Sequence, residues 1–178
     1  MAHSNETAFA IWLTGPPASG KSTVTSELVR QLQKRGVEMT VLESDVLRKV
    51  FSEHPRYDEQ DREYFYGSLA FIGQVLTERG IPVLFDATAN RRAYRDRARR
   101  QIPRFIEVYV ECPIEVCVQR DPKGIYRQAR EGRAAHVPGI QEAYEPPESP
   151  DLVVRGDTDT PEDAAERIID LLVRRGFV

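Results

Sequence analysis

The chain has 178 residues, 40% hydrophobic and 30% charged, with a formal net charge of −3 at neutral pH. That length suffices for the core of one domain spanning 1–178, and the charge argues against a general nucleic-acid binder. No apolar run approaches the roughly 20 residues of a membrane helix, Met1 to Thr7 show no signal-peptide pattern, and Cys112 and Cys117 fit neither a zinc motif nor a disulfide framework, so buried thiols in a reducing cytoplasm are expected.

Phe9 to Leu13 is an apolar run that reads as a buried first strand, ending at Thr14. Gly15-Pro16-Pro17-Ala18-Ser19-Gly20-Lys21-Ser22 follows and meets the pattern G-x-x-x-x-G-K-[ST] at every required position. A helix from Thr23 to Arg35, with Val24, Leu28 and Leu32 at helical spacing, completes the strand–loop–helix context that this motif needs. Glycines let such a loop wrap a phosphate chain, and its N–H groups with the helix start form an anion nest. Lys21 then reaches the β- and γ-phosphates of ATP, and the Ser22 hydroxyl ligates Mg²⁺.

Met39 to Leu42 reads as strand two and Asp45 to Phe51 as a short helix, with Ser52 to Tyr57 as a loop. Asp58 caps a long helix to about Arg79, its apolar side expected at Leu69, Ile72, Val75 and Leu76, with Gly80 as its stop. Strand three is Pro82 to Phe85. The helix after it carries Arg91, Arg92, Arg95, Arg97, Arg99 and Arg100, which spread round most of its circumference and read as a solvated face. Strand four is Phe105 to Val110, and Pro113 opens a short helix ending near Arg120. The polar, Gly- and Pro-punctuated span 121–150 is too long for a plain connection and reads as a lid. Asp151 to Arg155 is a fifth strand, and Pro161 starts a last helix with a core face of Ala164, Ala165, Ile168, Ile169 and Leu172. This alternation predicts an α/β, three-layer P-loop NTPase fold: a five-stranded parallel sheet with helices on both faces and a lid segment.

Ligands of such sheets bind beyond the carboxyl ends of the strands. There stand the phosphate loop, then Asp45 and Arg48 after strand two, then Asp86 and Thr88 after strand three. A carboxylate there holds Mg²⁺ or takes a proton from an attacking hydroxyl; alternatively each Asp caps a helix. Arg48, one turn beyond Asp45, and Arg62, at the start of the long helix, suit an anionic acceptor; alternatively they form surface ion pairs.

The span Arg120-Asp121-Pro122-Lys123-Gly124-Ile125-Tyr126, with Ala129-Arg130 and Gly132, closely resembles the R-D-x-K-G-[LI]-Y-x-x-A-R-x-G of the adenylylsulfate kinase (APS kinase) family. Gly139-Ile140, Tyr144-Glu145-Pro146-Pro147 and Glu115-Val116-Cys117 extend the likeness. The resemblance implies transfer of the ATP γ-phosphate to the 3′-hydroxyl of adenosine 5′-phosphosulfate (APS), giving 3′-phosphoadenosine 5′-phosphosulfate, and a homodimer. It implies that Gly15 to Thr23, Arg120 and Lys123 hold ATP, that Ser22 and Asp45 hold Mg²⁺, and that Lys21 and Asp45 are catalytic. Arg48, Tyr57, Arg62, Val137 and Ile140 fall at acceptor-binding positions, Tyr57 where an aromatic ring stacks on the APS adenine.

The chain departs from the family at several of these places. Glu43-Ser44-Asp45-Val46 replaces D-G-D-N, Phe65 replaces the Asn of D-R-x-E-N, and Val137-Pro138-Gly139-Ile140 replaces F-T-G-I. The last change removes one of two rings round the substrate base, where each stack contributes about 1–3 kcal/mol. Two other readings stay open: a kinase of this build with another small hydroxyl acceptor, such as a different nucleotide, and a nucleotide-binding regulatory module without turnover.

Overall fold

A computed structural model of the chain describes residues 8–178; Met1 to Thr7, on which the signal-peptide reading rests, lie outside the described residues. The elements run β1 (Ala10–Thr14), α1 (Lys21–Lys34), β2 (Thr40–Glu43), α2 (Ser44–Phe51), α3 (Glu59–Glu78), β3 (Val83–Asp86), α4 (Arg92–Gln101), β4 (Phe105–Glu111), α5 (Ile114–Arg120), α6 (Ile125–Arg130), β5 (Leu152–Arg155) and α7 (Pro161–Arg174). The strands pair in parallel in the order β2-β3-β1-β4-β5.

β1 is central, and every residue of it is buried, because a strand covered on both faces has no solvent side. Its alternate side chains divide the core. Ile11 and Leu13 join Val24, Leu28 and Leu32 of α1 and Ile168, Ile169 and Leu172 of α7 on one face. Ala10 and Trp12 join Tyr66 and Leu69 of α3 and Tyr94 and Ala98 of α4 on the other. Trp12 stacks on Phe85 of β3 at 4.5 Å between ring centroids. The α7 core face and the Asp58 cap, whose side chain accepts from the Asp61 N–H, are as expected.

The buried face of α3 includes Leu69 as expected, with Ile72 and Leu76 partly buried against the same core, but it departs from the expectation at Val75. It consists of Arg62, Phe65, Tyr66, Leu69, Ala70, Gly73 and Thr77, whereas Val75 is 40% exposed. Gly73 sets this rotation: a Cβ there would lie 2.2 Å from Phe85 Cζ, so the helix touches β3 where it has no side chain.

The Arg-rich helix is only in part a solvated face: Arg100 is exposed, and Arg91, Arg92, Arg97 and Arg99 are partly so. Arg95 is 1% exposed; its Nε donates to Glu107 Oε1 at 2.6 Å, Nη2 to the Glu145 carbonyl at 2.7 Å, and Nη1 to the Ala89 carbonyl. Arg91, Arg92 and Arg97 pair with Glu59, Glu148 and Glu63, and Arg99 with Asp151. These arginines fasten α4 to α3, β4 and the end of the lid span.

Residues 121–150 contain α6 and a small core of their own. Tyr126, Ala129 and Val137 bury against Cys112 and Cys117, both free thiols. Burial, with Cys112 alongside, pushes the Cys117 thiol up to about 12. No helix among the described residues is long and apolar enough to cross a membrane.

Candidate functional site

The phosphate loop joins β1 to α1 and lies against the end of β4. Gly15 is obligatory there: its φ is +159, and a Cβ would meet Val110 O at 2.5 Å. Lys21, 8% exposed, folds back so that Nζ donates to the Gly15 and Pro16 carbonyls at 3.0 and 2.8 Å. Burial lowers its pKa, while Asp86 and Asp45 work against that fall. A charge held so is ready to exchange two neutral carbonyls for anionic phosphate oxygens.

A cleft of about 640 Å³ opens over this loop. Pro17, Ala18 and Gly20 to Thr23 form its floor; Glu43, Ser44, Asp45, Asp86 and Thr88 form one wall; Arg120 to Lys123 reach over it from the lid. Asp45 lies in the first turn of α2 with no side-chain capping bond, and the N-cap of α4 is Arg91, so neither Asp45 nor Asp86 serves as a helix cap. Asp86 is 5% exposed at the carboxyl end of β3, next to β1. The segment after it is pinned: Trp12 Nε1 donates to Ala87 O at 3.0 Å, Thr14 Oγ1 to Thr88 O at 2.7 Å, and Tyr66 Oη accepts from Ala89 N at 3.0 Å.

At the cleft, the lid and the helix that leads into it are held by Lys123, Tyr126 and Arg120. Lys123 Nζ donates to Asp45 Oδ2 at 2.5 Å, and this bond raises the lysine pKa. Tyr126 Oη donates to Pro17 O inside the phosphate loop at 2.9 Å. Arg120 Nη1 donates to Gly156 O at 2.7 Å. The turn from β5 to α7 thereby closes the far wall, with Val154, Arg155, Gly156, Asp157 and Asp159 lining the cleft. This stretch went unread in the sequence, although applying the strand-end rule to the fifth strand would have marked it.

The remaining expected residues lie elsewhere. Arg48 and Arg62 are each 5% exposed, so neither is a surface ion pair. Arg62 donates from Nε to Tyr57 O, from Nη1 to Asn90 Oδ1 and from Nη2 to His136 O, tying α3 to the lid. Tyr57 is 38% exposed with a φ of +59. Ile140 lines a second hollow of about 440 Å³ with Pro16, Gly139 and Tyr144. Val137 is corrected: at 2% exposure its side chain faces the lid core and lines neither hollow.

Ser22, Asp45 and Asp86 bring a hydroxyl and two carboxylates to one cleft. Such hard oxygen donors fit Mg²⁺, which keeps several waters and shares its ligands with substrate phosphates. Among the described residues no cluster of three or more His, Cys, Asp or Glu forms a dedicated metal cage.

Residues 7–155 match the family model for adenylylsulphate kinase. The chain is 36% identical over 174 residues to the adenylyl-sulfate kinase of Halothermothrix orenii, covering 98% of this chain and 94% of that one. It is 39% identical over 164 residues to the adenylyl-sulfate kinase of Synechococcus sp. strain JA-3-3Ab, covering 92% and 91%. Its fold superposes on the APS kinase of Mycobacterium tuberculosis, solved in complex with AMPPNP and APS, with a TM-score of 0.88 and 32% identity over 94% of this chain and 98% of that chain.

Proposed function

The chain belongs to the adenylylsulphate kinase family, and from that premise we propose how its own residues carry out the reaction. The enzyme transfers the γ-phosphate of ATP to the 3′-hydroxyl of APS. The hydroxyl oxygen bonds to the γ-phosphorus, the bond from that phosphorus to the β,γ-bridging oxygen breaks, ADP leaves, and the hydroxyl proton is released. The observation that carries the assignment of roles is the convergence of Lys21, Ser22, Asp45, Asp86, Arg120 and Lys123 on one cleft.

Lys21 releases the Gly15 and Pro16 carbonyls and takes the β- and γ-phosphates. Arg120 and Lys123 cover the phosphate chain from the lid, excluding water and neutralising charge as it moves. Asp45 orients the acceptor hydroxyl and receives its proton. Lys123 must leave Asp45 for this, so entry of the substrates trades one ion pair for contacts to phosphate. Ser22 with Asp45 or Asp86 would hold Mg²⁺, which would offset the charge of the phosphates. Arg48 holds the anionic group of the acceptor, and Arg62 fixes the lid stem.

ADP release measured with ATP and APS, against a panel of other nucleotides and sugar acids, tests the acceptor. Turnover with another acceptor and none with APS replaces APS by that compound. Binding of ATP with no turnover on any acceptor favours the regulatory module. The family resemblance also underlies our proposal of a cytoplasmic homodimer, tested by cell fractionation and light scattering.

A further inference from the structure

Arg48 is 5% exposed, yet its donors are unevenly used. Nη1 donates to Asp61 Oδ2 at 2.8 Å, while Nη2 is buried without a partner. The guanidinium lies among ring faces, its Cζ 4.0 Å from the Phe65 centroid, 4.8 Å from Tyr57 and 5.4 Å from Tyr66. Phe65 is 3% exposed and braced edge-on by Phe51 at 5.9 Å. Tyr57 is pinned too: its N–H donates to Asp61 Oδ2 and its carbonyl accepts from Arg62 Nε.

Ring faces attract a cation but take no hydrogen bond in the guanidinium plane. A buried donor without an acceptor is unfavourable by itself, so a cation held this way is poised for an anion that arrives later. Arg62, by contrast, has each of Nε, Nη1 and Nη2 engaged. Arg48 stands one turn after Asp45 on α2, which brings the two side chains toward one face.

We propose that Phe65 is a positioning residue for the acceptor: with Tyr57 it clamps the Arg48 guanidinium so that Nη2 stays free for the anionic group of APS. The proposal rests on the kinase reading above and adds a residue to it. Phe65 carries no hydrogen-bonding group; it acts through the orientation of Arg48.

Phe65→Leu removes the ring and keeps an apolar side chain. It is expected to raise KM for APS about tenfold, with KM for ATP and kcat within about twofold of the parent. Phe65→Tyr retains the ring and is expected to keep KM for APS near the parent value. If Phe65→Leu does not fold, Phe51→Leu, at a position 41% exposed that braces the Phe65 ring, carries the test with the same expected split. An unchanged KM for APS in the folded variant overturns the clamp, as does an equal rise in both KM values with a lowered melting temperature. Failure of the parent enzyme to phosphorylate APS is a separate result, and it overturns the acceptor assignment instead.

Discussion

The phosphate side and the acceptor side proposed for this enzyme are built in opposite ways. Gly15 to Thr23 are consecutive, and the cradle they form is largely backbone, fixed by the φ values of its glycines and by the start of α1. Arg48, Tyr57, Phe65 and Arg62 come from α2, the loop after it and α3, and they hold one another, while Ile140 comes from the lid and lines a separate hollow. A contiguous backbone cradle depends on few side chains elsewhere in the chain. An assembly of crossed side chains depends on every tie, including ties made by α4.

That contrast can be broken at several places. The largest effect is expected from Arg95→Ala, which leaves Glu107, 5% exposed, as a buried charge without its main partner and frees the Ala89 and Glu145 carbonyls. Unfolding in denaturant should show a loss of about 3–5 kcal/mol; a loss near zero would show that the acceptor side does not depend on this tie. Lys21→Ala attacks the cradle instead. It should lower kcat by about 10²–10³-fold at an unchanged fold, read by ADP release and circular dichroism. Near-full activity would remove the role given to the loop lysine.

Asp45→Asn stands between the two sides. Turnover should fall by about a hundredfold, while titration with ATP still shows binding. Loss of ATP binding in this variant would instead make Asp45 part of the cradle. The smallest change is Tyr126→Phe, which deletes the bond to Pro17 O and keeps the ring. A single neutral hydrogen bond contributes about 1 kcal/mol, so KM for ATP should rise by about fivefold, with KM for APS nearly constant. An unchanged KM for ATP would detach the lid from the loop.

The same division explains what could be read in advance. β1, the phosphate loop, the Asp58 cap and the core face of α7 were legible because each is a local pattern: an apolar run, a motif, a cap, a helical stripe. Arg95 was misread because six arginines round a helix look the same in sequence, and only its partners outside that helix, Glu107 with the Ala89 and Glu145 carbonyls, set it apart. Val75 was expected on the core side of α3 but is exposed, because the helix approaches β3 at Gly73, where Phe85 fills the space a side chain would take. Val137 sits in a motif position expected to meet substrate, but packing with Tyr126 and the two cysteines turns it inward. The turn after β5 has no motif, and its place on the cleft follows from Gly156 lying against the phosphate loop and accepting from Arg120.

By itself the sequence determined the parallel sheet, the phosphate cradle and the family, because backbone preferences and short-range spacing are written residue by residue. Which arginines are buried, which one keeps an unused donor, and which lid side chains face the cleft were decided by the tertiary structure alone. Those outcomes depend on partners on other elements, whose distances no linear pattern encodes.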